Sequence, residues 1–376
     1  MSRIDDLIAE LCPDGVEYRA LGDMASFRRG TSMTRKDIGD GQIPVIAGGR
    51  TPAYYHDKSN RTGETIVIAG SGAYAGFVTF WTTPIFVSDA FSVHPNTDIL
   101  LAKYVYYFLL ARQSEIHEKK SGGGVPHVKG SDLSPFKIPI PPLEVQREIV
   151  TILDTFTELE AELEAELEAR KRQYEYYRDA LLRLDGKSGV KWIDDLCPDG
   201  VEFRRLGEVI RLNFGTRITK LADSGSAYPV YGGGGESFRT DAFNRENEYV
   251  VSRFAMSEKC VRFVKGKFWM LDSGFTFDPV DSSIDKKFVA YTLLNMQPAI
   301  YDCSSQGAQK NLKTEQFRRF SIPVPPLPVQ REIVNVLDKF DALVNDLSIG
   351  LPAELAARRK QYEYYRDQLL TFKEAV

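Results

Sequence analysis

From Ile149 onward a stripe of positions recurs every three or four residues, apolar at all but Arg170: Ile152, Phe156, Leu159, Leu163, Leu167, Arg170, Tyr174, Tyr177, Leu181 and Leu184. That period sets them on one stripe of an α-helix, and neither glycine nor proline interrupts the run from Leu143 to Leu184. Pro141 and Pro142 close the segment before it, where proline suits a helix start. Such a helix is about 60 Å long at 1.5 Å per residue, and its stripe needs a partner. A second stripe supplies one: Ile333, Leu337, Phe340, Leu343, Leu347, Leu351, Leu355, Tyr362, Tyr365 and Leu369. Gly350 and Pro352 predict a kink or short break in it, because an interior proline costs about 3 kcal/mol. In the first helix the tract LEAELEAELEA (159–169) steps by four twice in succession, a local unwinding of a heptad seam.

The two helices belong to a larger duplication. LCPDGVEYRALGD (11–23) returns as LCPDGVEFRRLGE (196–208), with 10 of 13 positions identical. IPVIAGG (43–49) is echoed by YPVYGGG (228–234), and IPIPPLEVQREIV (138–150) by IPVPPLPVQREIV (322–334). QYEYYRD stands unchanged at 173–179 and 361–367. Two copies of this length are not a solenoid, which stacks more and shorter units. Each copy reads as a globular part followed by a long helix, giving boundaries at 1–142, 143–190, 191–326 and 327–376. Between the repeated edges, residues 50–137 and 235–321 have drifted beyond easy alignment. A shared frame with different contents suits two heads that recognise different things. Neutral drift of a duplicated core would not obviously spare Gln146, Arg147 and Glu148, which are expected on the surface. A pseudo-dyad between the copies requires the second helix to return to the segment 4–23. The expected fold is therefore α+β: two mixed α/β heads separated by two long helices in an antiparallel coiled coil.

Charge sharpens this picture. The net charge is −4, yet residues 20–142 carry 13 Lys and Arg against 10 Asp and Glu, and residues 204–326 carry 18 against 13. The connecting stretches are strongly acidic and the heads mildly basic, as in a protein that meets nucleic acid at two places; random scatter is the competing reading. Cys12, Cys197, Cys260 and Cys303 lack metal-ligand spacing and only four histidines could complete a site, while Cys12 and Cys197, in the two copies of LCPDGVE, read as reduced structural thiols. No apolar stretch approaches the roughly 20 residues of a membrane span, and MSRIDDLIAE lacks a secretory pattern. A cytoplasmic location is expected. No P-loop, amino-methyltransferase motif or repeated Ser/His/Asp set is found, so no catalysis is expected of the chain.

The duplicated order of Ile138–Gln146 and Ile322–Gln330, the paired glycines at 48–49 and 232–235, and the two QYEYYRD segments resemble the specificity subunits of type I restriction–modification enzymes. The resemblance covers essentially the whole chain. It implies two target-recognition domains reading the halves of a bipartite, asymmetric site on double-stranded DNA. It also implies helices that hold two DNA methyltransferase (modification) subunits using S-adenosylmethionine, and restriction (motor-nuclease) subunits using ATP and Mg²⁺; no cofactor is implied for this chain. Copy two departs from the family's glycine-rich segment at 252–260, SRFAMSEKC, which puts a shared backbone approach to DNA there in doubt.

Loops in the major groove would read bases, with Arg and Lys holding phosphates or guanine and Asn, Ser or Thr reading adenine or thymine. In the first head the candidates are Arg28, Arg29, Thr31, Arg35 and Lys36, then Arg50, Lys58 and Arg61, then His127 and Lys129. In the second they are Arg217, Thr219 and Lys220, then Phe238 and Arg239, then Lys310, Asn311 and Lys313. Each alone reads equally as a solvated charge. The competing function is a non-catalytic coiled-coil scaffold whose two heads bind carbohydrate or peptide.

One four-residue unit of the LEAE tract adds about 6 Å and about 40° of rotation to a helix, nearly two base-pair rises of about 3.4 Å. Deleting Glu160–Leu163 is expected to change the permitted gap between half-sites while leaving both half-sites unaltered. Mapping of methylated sites checks this, and an unaltered gap refutes it.

Overall fold

The structure, a computed structural model, describes residues 3–33, 40–121, 124–184, 190–305 and 309–375. It resolves into two compact units, Met1–Ala165 with Glu354–Val376, and Glu166–Ala353. Among the described residues no helix is long and apolar enough to cross a membrane.

In the first unit the two repeated edge motifs are each other's partner. Tyr18–Ala20 pairs antiparallel with Lys137–Pro139, in the register Tyr18↔Pro139. The second unit repeats this between Phe203–Arg205 and Ser321–Pro323, in the register Phe203↔Pro323. The prolines sit at positions where the short two-stranded ladder loses least from a missing N–H. The last helix of the chain returns to the first motif as the topology requires: Val16 donates its N–H to Lys373 O at 2.9 Å, and the Tyr18 hydroxyl donates to Phe372 O at 2.9 Å.

Each globular part is built on antiparallel sheet. In the first unit a four-stranded sheet runs Ala25–Arg29, Ala90–Pro95, Thr65–Ala69, Val78–Trp81. Beside it lies a three-stranded sheet, Tyr54–His56, Ile43–Ile46, Phe86–Val87, its last pair parallel. The second unit makes the same pairings in one six-stranded sheet, because Val261–Met270 runs unbroken and pairs in parallel with Tyr228–Gly232. In the first unit Thr82-Thr83-Pro84 separates the two corresponding strands; proline cannot continue an interior strand. Behind each sheet packs a helix that is apolar nearly all round. Ala102–Ala111 buries Tyr104, Val105, Tyr107, Phe108 and Leu109, and Lys286–Asn295 buries Phe288, Val289, Tyr291 and Leu293. Cys12, Cys197 and Cys260 are buried and all four thiols are free.

The first long helix spans Leu143–Arg183, and Leu184, at φ 46°, turns the chain out of it. The second is broken as expected, into Leu327–Asn345 and Leu351–Leu369. Inside the first unit, Phe156 stacks on Tyr365 with ring centroids 5.6 Å apart, and Arg359 reaches Glu160 at 2.6 Å and also Glu164. Inside the second, Phe340 stacks on Tyr177 at 5.7 Å. These pairings run antiparallel in both units. The first and third tyrosines of each QYEYYRD segment therefore make ring contacts along the seam, while the middle ones, Tyr176 and Tyr364, are the most exposed of the three.

Gln146 corrects an expectation: it is buried, as is Gln330. The Gln146 carboxamide accepts from Leu101 N–H at 2.9 Å and donates to Ile99 O and Pro141 O, each at 2.8 Å. Gln330 accepts from Asp285 N–H at 2.8 Å and donates to Ser283 O at 3.0 Å and Pro325 O at 2.7 Å. A second tie repeats beside it. Asp154 takes Lys103 at 2.7 Å and the Tyr107 hydroxyl at 2.5 Å, and Asp338 takes Lys287 at 2.7 Å and Tyr291 at 2.6 Å.

A buried polar group left without its partner costs about 1–3 kcal/mol. Gln146→Leu, which orphans three backbone groups, is expected to lower the unfolding free energy of its unit by about 3 kcal/mol or more. Urea unfolding followed by a probe in that unit measures it; a loss below about 1 kcal/mol contradicts the role given to the carboxamide.

Candidate nucleic-acid interface

Two arginines build the frame on which the candidate residues stand. Arg61 donates to Ser92 Oγ at 2.7 Å, Asn60 O at 2.7 Å, Arg29 O at 3.1 Å and Arg28 O at 3.3 Å. Arg245 donates to Thr276 Oγ1 at 3.0 Å, Asn244 O at 2.7 Å, Phe214 O at 3.2 Å and Asn213 O at 3.3 Å. The preceding asparagines also match. Asn60 brackets Val87 with bonds of 2.7 and 2.9 Å, and Asn244 brackets Met270 with 2.7 and 3.1 Å. Burial first, then the neighbouring Arg28, draws the Arg61 pKa below its ordinary value. Its guanidinium is occupied inside the fold, holding the strand that presents Arg28 and Arg29. The signal was in the sequence, an Asn-Arg pair recurring at offset 184, inside stretches otherwise too diverged to align.

In the first unit the first and third candidate clusters converge. Arg29, His127 and Lys129 line one cleft of about 400 Å³ with Phe27, Gly70 and Asp89. The loop carrying His127 and Lys129 is tied down by Val128 N–H to Gly70 O at 3.1 Å and by Lys129 N–H to the Asp132 carboxylate at 2.8 Å. Gly130 lets it approach: a Cβ there would lie 2.7 Å from the Phe27 side chain. His127, Lys129, Arg28, Arg29, Thr31 and Lys58 are exposed. Arg50 lies apart from this cleft, its guanidinium over Tyr74 at 4.9 Å and Phe77 at 5.3 Å. Burial, then Lys120 and Arg50, lowers the pKa of the nearby His117, which keeps it neutral near pH 7. Arg35 and Lys36 lie outside the described residues.

The second unit distributes its candidates differently. Thr219 caps the turn Lys220–Asp223, accepting from Ala222 N–H at 3.3 Å, and Arg217 and Lys220 are exposed around it. Phe238 is half-buried in its strand. Arg239 binds Ser226 O and Ala227 O, both at 2.8 Å, pinning a neighbouring loop. The Asn311 carboxamide accepts from Ala255 N–H at 3.4 Å, and Lys310 lies 5.8 Å over the Tyr301 ring, while Lys313 is exposed.

Sequence reasoning passed over Arg253. Its guanidinium lies 4.6 Å over Phe254 and 5.2 Å over Phe214. It occupies the segment whose lack of glycine cast doubt on a shared backbone path, and the path is shared nonetheless. Gly70 N–H donates to Asp89 O at 3.1 Å and Arg253 N–H to Ser273 O at 2.8 Å. Val128 N–H donates to Gly70 O at 3.1 Å and Leu312 N–H to Arg253 O at 2.7 Å. At these two bonds the backbone is common to both units, while the side chains differ.

Comparison with known proteins agrees with this duplicated plan. The family model described as the type I restriction modification DNA specificity domain matches twice, at residues 13–169 and 198–357. The EcoR124I/EcoR124II type I restriction enzyme specificity subunit of Escherichia coli is 31% identical, with 95% of this chain and 94% of that protein covered. The crystal structure of a type I restriction–modification S subunit from M. genitalium superposes with a TM-score of 0.65 at 18% identity, over 95% of this chain and 96% of that one. A chain from a structural study of assembly and conformational transition in a type I system gives 0.62 at 19%, over 95% and 98%. At these identities the structural likeness shows a shared fold.

A lysine cannot reproduce the planar fork of Arg61 or Arg245. Arg61→Lys and Arg245→Lys are each expected to destabilise their own unit by about 2–4 kcal/mol, since hydrogen bonds from a charged donor are worth about 1.5–3 kcal/mol. Unfolding measured with a probe in each unit reads this; unchanged stability removes the clamp from the account.

Proposed function

Since the chain belongs to the family of type I restriction–modification DNA specificity proteins, we propose that each of its units carries one head reading one half of a bipartite, asymmetric site on double-stranded DNA. The chain does no chemistry of its own. It directs two methyltransferase subunits, which bring S-adenosylmethionine, and, where they are present, restriction subunits using ATP and Mg²⁺. It works in the cytoplasm, where that DNA is.

One observation carries this reading: the two units share an identical internal clamp, Asn60-Arg61 and Asn244-Arg245, beneath surfaces whose exposed side chains differ. Identical support with unlike surfaces is what two readers of unlike half-sites need. In the first head the cleft gathers Arg29, His127 and Lys129, suited to phosphate and base edges together. In the second, Arg253, Lys310, Asn311 and Lys313 play that part, with Arg217 and Lys220 on the neighbouring loop. Arg61, Arg239 and Thr219 act as positioning residues. Heads for carbohydrate or peptide have no counterpart in the names of the relatives compared.

Binding to a duplex carrying the site is expected to weaken about a thousandfold between 50 and 200 mM salt if roughly six phosphates are engaged. Fluorescence anisotropy across a salt series measures it, and a flat response contradicts DNA as the ligand. The purified chain alone is expected to transfer no methyl group. Addition of its methyltransferase partner should yield methylation at one bipartite motif, while methylation by the chain alone refutes the division of labour.

A further inference from the structure

Asp89 is unusual in a cleft otherwise furnished for DNA. It lines the wall with Arg29, His127 and Lys129, it is exposed, and it accepts a hydrogen bond from the Ser71 hydroxyl. Among the described residues no lysine or arginine stands within ion-pair distance of it. A carboxylate repels phosphate, so backbone anchoring does not explain it. An ionised carboxylate is acceptor-only, and Ser71 leaves it spare acceptor capacity. What such a group can take from the major groove is an exocyclic amino group, cytosine N4 or adenine N6.

The second unit inverts this chemistry at the same place. The backbone bonds that equate Gly70 with Arg253 also equate Asp89 with Ser273. A further pair fixes the register one residue on: Gly30 N–H donates to Ala90 O at 2.8 Å, and Gly215 N–H to Gly274 O at 3.1 Å. Where the first unit has a carboxylate facing an open glycine, the second has a small hydroxyl facing an arginine. The Ser273 hydroxyl is used internally, accepting from Gly233 N–H at 3.2 Å. The Arg253 guanidinium lies over two aromatic faces, Phe254 and the exposed Phe214, which stands where Arg29 stands in the first head. Stacking fixes the plane of the fork while its donors stay free, since only the Arg253 backbone takes part in the hydrogen bonds found for it among the described residues. A planar, donor-only fork suits the paired acceptors of guanine, O6 and N7.

We infer that Asp89 and Arg253 are the specificity-determining residues on opposite members of one structurally equivalent residue pair, Gly70–Asp89 in the first head and Arg253–Ser273 in the second, Asp89 selecting a base with a major-groove amino group and Arg253 selecting guanine. The inference rests on the DNA-reading function proposed above and assigns it a chemical basis. A donor-for-acceptor exchange makes each head reject the partner of the other, because the wrong base leaves a desolvated group unpaired.

The test is base-resolution methylation mapping in cells expressing the full chain with its methyltransferase, for the native chain, Asp89→Asn and Arg253→Lys. The native chain must first yield one bipartite motif; if it yields none, the DNA-reading function itself fails. Given that motif, Asp89→Asn is expected to relax one cytosine or adenine position of one half-site by about tenfold or more, and the base that relaxes identifies which amino group is read. Arg253→Lys is expected to relax one guanine of the other half-site alone. Should either variant methylate too little to map, competition binding of the purified complex to the site and its single-base substitutions reads the same preference. An unchanged motif, relaxation at a base of another class, or a loss uniform across all duplexes overturns the inference.

Discussion

Everything the heads present to solvent depends on how each is fastened to its long helix, and that fastening is a buried carboxamide. Gln146 and Gln330 use both ends of the side chain on backbone groups that no secondary structure satisfies, and they do so from the first turn of a helix. A hydrophobic side chain could fill the space but could not fix orientation, whereas three directed bonds in a low-dielectric setting accept few geometries. The adjacent Lys103–Asp154–Tyr107 and Lys287–Asp338–Tyr291 ties act on the next turns of the same helices. In the second, burial first and the bond to Asp338 second raise the Tyr291 pKa above its ordinary value, so the phenol stays a donor. The carboxylates hold the following helix against the head rather than waiting for a ligand.

Such fastening explains which parts of the duplication stay constant. IPIPPLEVQREIV and IPVPPLPVQREIV contain the strand that closes the head, the prolines that end it, and the glutamine that locks the helix start. LCPDGVE and its continuation supply the facing strand. The two motifs are strand partners in both units. The loops over the sheet carry no such mutual obligation, apart from the Asn-Arg clamp beneath them.

Much of this was legible in the chain. A period of three and four reported the helix from Leu143 and its antiparallel partner, and the Gly350–Pro352 signal marked the break now found after Asn345. The rest failed for identifiable reasons. Gln146 looked exposed because glutamine is usually a surface residue, and nothing local reveals that three backbone groups surround it. The internal bonds of Arg61 were not legible because a formal charge does not say whether its donors are already used. The two heads looked unalignable because side chains were compared, whereas their equivalence lies in backbone bonds such as Gly70–Asp89 and Arg253–Ser273. Arg253 itself was seen as a missing glycine instead of an added guanidinium.

That last misreading bears on how one fold serves two half-sites. If the backbone had to change for each new target, each change would risk the sheet edge held by Arg61 or Arg245. Keeping the path and exchanging side chains avoids that risk, since an exposed carboxylate or a stacked guanidinium adds no strain to the strand beneath. The left-handed positions in this segment fit the same logic: glycine holds one in the first unit, Gly72 at φ 84°, and Ala255 at φ 49° holds one in the second. A non-glycine residue in that conformation costs about 1–2 kcal/mol. The second unit carries that cost while keeping the loop that presents Arg253, so the path of the backbone, more than the identity of any residue on it, is what the heads hold in common.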